Sequence, residues 1–261
     1  MTEDLLHRLL AITHVPSPLL ERGERTFVDD APVDYPLALR QHAAYCDALR
    51  SCDAEVITLD ANRDLPDSVF VEDTAIVLDE IAVMMSMGAE SRRAEPAAIE
   101  AALRRYRPID RVRLPATIDG GDVVRASRAL YVGASPRTNA AGIDALREAV
   151  RAYGYTVIGV PVRKCLHLKT ACSALPDGSL LVNREWIDVG PLSPTQLLDV
   201  PAEEPWAGDV LVIGERIISS DAFPETARVL ERRGFGVVPV AVSEFAKVEG
   251  GVTCLSLVFR E

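Results

Sequence analysis

Residues 139–162 read NAAGIDALREAVRAYGYTVIGVPV. Asn139 to Tyr153 carries the apolar periodicity of a helix, and Thr156 to Val162 follows it as a strand. The same helix-then-strand order occurs at Tyr35 to Arg50 before Glu55 to Leu59, where Leu37, Leu39, Ala43, Ala44 and Leu49 allow an apolar stripe although Pro36 restricts the start. It occurs again at Pro96 to Tyr106 before Arg111 to Leu114, and at Phe223 to Arg233 before Gly236 to Val242, with a weaker version after Ser193. Five such units amount to an internal repeat of about 50 residues, a cue for a radial architecture.

Further strands fall between the units: Ala75 to Leu78 with Ile81 to Met85, Val123 to Val124 with Ala129 to Val132, Ser179 to Val182, and Val210 to Ile213 with Arg216 to Ile218. Short polar turns such as Asp79-Glu80 and Gly214-Glu215 predict hairpins, which simple βαβ alternation would not need. Neither GxGxxG after a first strand nor GxxxxGK[ST] is present, so nucleotide-binding α/β folds lose their usual support. No linker or low-complexity segment divides the 261 residues, and a single domain over 1–261 is expected.

Composition narrows the classes of function. Hydrophobic residues make up 48% and charged residues 26%, enough for a sizeable core. The net charge of −11 and the lack of any Lys/Arg run disfavour nucleic acid as a partner, while negative potential in a cleft suits a small cationic substrate. The start, MTEDLLHRLLAITHVP, has an acidic pair in place of a basic n-region, and no stretch approaches the ~18 apolar residues of a membrane span. A cytoplasmic protein without a membrane partner is expected. The five cysteines, Cys46, Cys52, Cys165, Cys172 and Cys254, are an odd number without CxxC spacing, so reduced thiols are expected.

Four segments concentrate the chemistry: DSVFVED at 67–73, DGGD at 119–122, LHLK at 166–169 and EGGVTC at 249–254. Cys254 follows a glycine pair and precedes the apolar run Leu255 to Phe259, so a loop delivers it to the start of a terminal strand. A buried Cys acting as a small hydrophobe remains open at this point. His167 stands between two leucines, which alternation would place on the opposite face; His7, His14 and His42 read as surface or packing residues. Asp119 either orients the imidazole or is a turn residue beside its glycines. In 67–73, read as a strand, Val69, Val71 and Asp73 share one face and Phe70 and Glu72 the other. A half-buried acid there needs a partner, and a bound guanidinium would be one.

Together with GAESRR at 88–93, RTN at 137–139 and KVEGGVTCLSL at 247–257, these ordered segments resemble the dimethylarginine dimethylaminohydrolases of the pentein superfamily. The resemblance implies an α/β fold, a five-bladed αβ-propeller of ββαβ-type repeats, and hydrolysis of Nω-methylated arginine to citrulline and an alkylamine without metal or organic cofactor. It implies Cys254 as nucleophile, His167 as general acid/base and Asp119 as its acidic partner, where some members carry Glu. Asp67 and Asp73 would hold guanidinium nitrogens with Glu72 in the same wall, and Arg92 and Arg137 would grip the α-carboxylate. Val248 and Glu249 match contacts near the nucleophile, and Leu20 or Leu19 falls in a lid. A homodimer is compatible with the resemblance. Ser86-Met87 and Gly208-Asp209 depart from the family pattern, and the lid around Val15 to Asp30 aligns poorly.

Rival readings have their own requirements. Arginine deiminase would use the same constellation on unmodified arginine and release ammonia, whereas amidinotransfer needs an acceptor amine. The pentein fold also serves as a non-catalytic ribosome-binding module, in which Cys254 and His167 would have no reason to converge. Structural zinc would need closely spaced ligand pairs, which the sequence lacks.

Overall fold

A computed structural model describes residues 8–193 and 195–261; His7 and the acidic pair near the start lie outside them. The 139–162 segment forms α3 (Ala140–Arg151) and β8 (Thr156–Pro161), completing a unit begun by β6 (Val123–Ala126) and β7 (Ala129–Ala134). Asn139 caps α3 by accepting the Gly142 N–H at 2.8 Å. Ile143, Leu146 and Val150, spaced three and four apart, bury one helical face with Leu130, Val132 and Val157. β6 runs antiparallel to β7 with Val123 opposite Val132, and β8 runs parallel to β7 with Val157 opposite Leu130. The helix is the crossover that a parallel pair demands.

This ββαβ unit recurs. β3 (Ala75–Val77), β4 (Ala82–Met84), α2 (Pro96–Leu103) and β5 (Ile109–Arg111) form one copy. A second is β12 (Val210–Ile213), β13 (Arg216–Ser220), α5 (Pro224–Arg232) and β14 (Gly236–Val240). In the copy built from β9 (Cys172–Ala174), β10 (Leu180–Val182) and β11 (Leu197–Asp199), the helix expected after Ser193 is replaced by a 3-10 turn, Gly190–Leu192, placed before it. The proline in that turn and the short span to β11 leave no room for regular helix. The fifth copy joins the two ends of the chain: β15 (Leu257–Arg260) pairs antiparallel with β1 (Leu9–His14), which pairs parallel with β2 (Glu55–Leu59) across α1 (Tyr35–Ser51).

Five three-stranded sheets thus stand around an axis. Residues of the inner strands β3, β6, β9, β12 and β15 line a central channel. Every chemically marked segment lies directly ahead of an inner strand: 67–73 before β3, 119–122 before β6, 166–169 before β9, 208–209 before β12 and 249–254 before β15. Pseudo-fivefold symmetry therefore gathers them at one end of the channel. No helix among the described residues is long and apolar enough to cross a membrane.

Two local expectations fail. Residues 67–73 are turn and 3-10 helix (Val71–Thr74), not a strand, because Asp67 to Ala75 are buried on every side and alternation has no solvent face to describe. His167 is likewise not on a strand but at the N-cap of the short helix α4 (Leu168–Ala171).

Candidate active site

The turn that carries Cys254 is built on two close backbone approaches. A Cβ on Gly250 would lie 2.1 Å from Phe70 Cε1, and one on Gly251 2.1 Å from Asp209 Oδ2, so only glycine fits at either position. Cys254 Sγ is partly buried and accepts the Gly251 N–H at 3.3 Å. Burial pushes the thiol well above its usual range, and the charges of Asp209, Glu72 and Asp73 push it further, with only the Gly251 N–H acting against them. Burial and the neighbouring acids thus favour the neutral thiol over the thiolate.

His167 faces three carboxylates. Its Nε2 is 3.1 Å from Asp119 Oδ2, and its Nδ1 is 3.8 Å from Asp73 Oδ1. Burial opposes the charged ring, but Asp73, Asp119 and Asp122 outweigh it and raise the imidazole to about 9. Asp119 is fixed by the Gly88 N–H at 2.8 Å. Asp122, which the sequence reading left without a role, accepts the Leu168 N–H at 2.9 Å and hydroxyls from Ser135 and Thr138 at 2.6 Å, anchoring the segment that presents His167. Asp73 sits below the usual carboxylate range; burial works against this, and His167 and Arg92 overcome it.

A small cavity opens beside these groups. Arg137 also lines it and is buried with no hydrogen-bond partner for Nη1, which lies 3.9 Å from Asp119 Oδ2. Arg92 donates to Asp73 Oδ2 at 2.7 Å, Glu95 Oε2 at 2.8 Å and the Phe70 carbonyl at 3.2 Å. The lid closes the cavity from above: Asp67 accepts the Glu24 N–H at 3.2 Å through both oxygens, and Glu249 accepts the Thr26 N–H at 2.7 Å and the Phe27 N–H at 2.5 Å.

A model of the family described as N,N dimethylarginine dimethylhydrolase, eukaryotic, matches residues 31–188. The chain is 44% identical to the N(G),N(G)-dimethylarginine dimethylaminohydrolase of Streptomyces coelicolor over 96% of its own length and 97% of the relative's. The chain belongs to the dimethylarginine dimethylaminohydrolase family. It is also 36% identical to the dimethylarginine dimethylaminohydrolase of Pseudomonas aeruginosa, covering 87% of this chain and 90% of that one. A solved cysteine-to-serine variant of the Pseudomonas family member, complexed with citrulline, superposes with a TM-score of 0.91 at 33% identity, covering 95% and 98% of the two chains. The N-terminal domain of ArgZ, an arginine dihydrolase, shares the fold at 18% identity with a TM-score of 0.84, over 96% and 97% of the two chains. The family's five-bladed α/β propeller is the architecture described above.

Of the residues expected from the sequence, Cys254, His167, Asp67, Asp73, Arg92, Arg137, Val248 and Glu249 line the one cavity, and Asp119 stands behind His167. Glu72 does not join that wall. Its carboxylate pairs with Lys169 Nζ at 2.7 Å and accepts the Thr253 hydroxyl at 2.8 Å, closing the channel beneath the thiol. Leu20 is not in the wall either: it packs in the core with Tyr45 and Phe245, and the lid residue that lines the cavity is Glu24. Glu249 uses its carboxylate on lid backbone. One atom each of Asp73, Asp119 and His167 lies within 4.8 Å of the others, as a metal would require, but Arg92, Gly121 and Gly88 already bond the two carboxylates.

Proposed function

We propose that the protein hydrolyses an Nω-methylated arginine to citrulline and methylamine or dimethylamine through a covalent thiouronium on Cys254. The observation that carries this reading is the set of groups lining one cavity: the Cys254 thiol, the His167 imidazolium and the acids Asp67 and Asp73, together with Arg137, whose buried Nη1 has no partner. A molecule that carries both a cationic guanidinium and a carboxylate satisfies both kinds of group. Names of relatives agree, since family members at 44% and 36% identity are dimethylarginine dimethylaminohydrolases and one is solved with citrulline.

Chemistry follows from the charges. A guanidinium arriving beside Asp73 brings the positive charge that the thiol lacks, so ionisation of Cys254 becomes favourable when substrate is present. The thiolate attacks the guanidinium carbon, forming a C–S bond and a tetrahedral adduct. His167 delivers its proton to the alkylated nitrogen, the C–N bond breaks, and the neutral amine departs to leave the S-alkylthiouronium. The imidazole, now neutral, takes a proton from water as its oxygen adds to the same carbon. Collapse breaks the C–S bond and yields citrulline, with Cys254 regaining a proton. Asp119 keeps the ring oriented throughout.

Asp67 and Asp73, which both line the cavity, are the acids that would hold the guanidinium nitrogens. Phe70 borders the cavity and offers the apolar contact a methyl group favours. The same reading takes 1–261 as one domain, a cytoplasmic enzyme of arginine metabolism acting on a small guanidino amino acid, with a homodimer as its assembly. Comparing kcat/KM for arginine, monomethylarginine and asymmetric dimethylarginine, with dimethylamine and ammonia measured separately, tests it. A methyl group discriminates by only about 1–3 kcal/mol, so higher efficiency on arginine with ammonia as product would replace the substrate and leave the thiol chemistry intact.

A further inference from the structure

Four of the five segments ahead of the inner strands supply residues to the cavity or to the histidine that faces it. The fifth, Gly208-Asp209 ahead of β12, supplies none. Asp209 is buried and turned instead toward the nucleophile's turn: its Oδ1 accepts the Thr253 N–H at 3.0 Å and its Oδ2 lies 3.3 Å from Thr253 Oγ1. The same Oδ2 fills the place of a Gly251 side chain, and the Gly251 N–H donates to Cys254 Sγ. One carboxyl group therefore touches both ends of the Gly251–Thr253 stretch that delivers the sulfur.

The charge around it is unbalanced. Thr253 Oγ1 has one proton and two carboxylates in reach, and Glu72 Oε2 is the nearer at 2.8 Å. Lys169, the cation facing this cluster, pairs with Glu72. On the other side Tyr45, from α1, bonds the Val252 carbonyl at 2.8 Å and contributes no positive charge. With Glu72 and Lys169 neutralising each other, Asp209 is the uncompensated acid behind Cys254. Burial, with Glu72 adding to it, pushes Asp209 up to about 7, so its charge changes near neutrality.

We propose that Asp209 is a positioning residue for the nucleophile: its carboxyl group clamps the Gly251–Cys254 turn from behind and, when ionised, opposes formation of the Cys254 thiolate in the empty site. With Cys254 read as the nucleophile, as above, this makes ionisation conditional on a cation entering from the front, and it shields the resting thiol from neutral electrophiles.

Asp209→Asn keeps the shape and an oxygen for the Thr253 N–H while removing the charge; Asp209→Ala removes both. The test is the pH dependence of Cys254 alkylation by iodoacetamide in the full chain without substrate, mapped by mass spectrometry, on whichever variants match the wild-type circular dichroism. Both variants are expected to move the alkylation midpoint to lower pH by about one unit, a roughly ten-fold faster reaction at neutral pH. Asp209→Ala alone is expected to lose kcat, with KM little changed, because only it lacks the clamp. An unmoved or higher midpoint in a folded variant overturns the proposal. Failure of the nucleophile reading looks different: complete alkylation of Cys254 would then leave turnover intact.

Discussion

Asp119 Oδ2 meets His167 Nε2 at 3.1 Å, with the carboxylate wholly shut off from solvent. Against burial, Asp73, Asp119 and Asp122 together hold the imidazole charged well past neutrality, to about 9. Because the folded value lies above the unfolded one of about 6.5, the stability contributed by the imidazole's three acidic neighbours together is fully present below pH ~6.5 and is lost as the pH rises through about 9; the total is on the order of 3 kcal/mol at most, of which Asp119 supplies a part. Asp119→Asn is expected to lower the imidazole midpoint, seen by NMR titration, and to shift the alkaline limb of kcat/KM toward acid by a similar amount. An imidazole that still titrates near 9 in this variant would show that Asp73 and Asp122 raise it without Asp119.

Cys254→Ser is expected to abolish turnover while leaving citrulline binding, measured by calorimetry, within a few-fold of wild type, since the sulfur accepts only one weak bond from Gly251 in the empty site. In His167→Gly, general acid/base assistance worth roughly 10²–10⁴-fold is removed. A covalent adduct of substrate carbon on Cys254 should then accumulate and be detected by mass spectrometry.

Arg137 and Arg92 differ in how much of each guanidinium is already engaged. Arg92 is held by Asp73, Glu95 and the Phe70 carbonyl, whereas Arg137 Nη1 has no partner. Arg137→Lys keeps a charge but loses the planar fork, and KM is expected to rise about ten-fold or more with kcat less affected. Equal affinities of this variant for substrate and for its decarboxylated analogue, unchanged from wild type, would remove Arg137 from carboxylate recognition.

Glu249 holds the lid by two backbone bonds from a left-handed conformation, φ 62°, that a side chain adopts at a cost. Glu249→Gly relieves that cost and removes the latch together, so a gain in thermal stability should accompany a several-fold rise in KM and faster tryptic cleavage at Arg22 or Arg25. Unchanged KM and cleavage would mean the lid is held by Arg25, whose Nε donates to the Lys247 carbonyl at 3.0 Å.

The repeat and the loop that brings Cys254 to the start of the last strand could be read from sequence because both depend on local grammar. α3 announces itself by spacing, and the Gly250-Gly251 pair before Cys254 is a local steric demand of Phe70 and Asp209. β1 escaped notice because it is buried on both faces and lacks alternation, and Asp67 to Asp73 suggested an alternation that burial on all sides makes meaningless. Glu72 could not be separated from Asp73 by sequence, since its partner Lys169 lies 97 residues away and sends it to the channel. Glu24 had no local mark at all; its N–H bonded to Asp67 and its carboxylate accepting the Ser91 hydroxyl, both distant in sequence, bring it to the cavity.

The pairing of β1 with β15 bears on how the protein folds. Cys254 lies three residues before β15, and that strand finds its partner in the first segment of the described chain. A chain in which β15 has not yet paired with β1 has an open ring and a sulfur with no fixed place opposite His167. Closing the ring and placing Cys254 are therefore a single folding event, and substitutions that weaken the β1–β15 pairing should lower stability and turnover together.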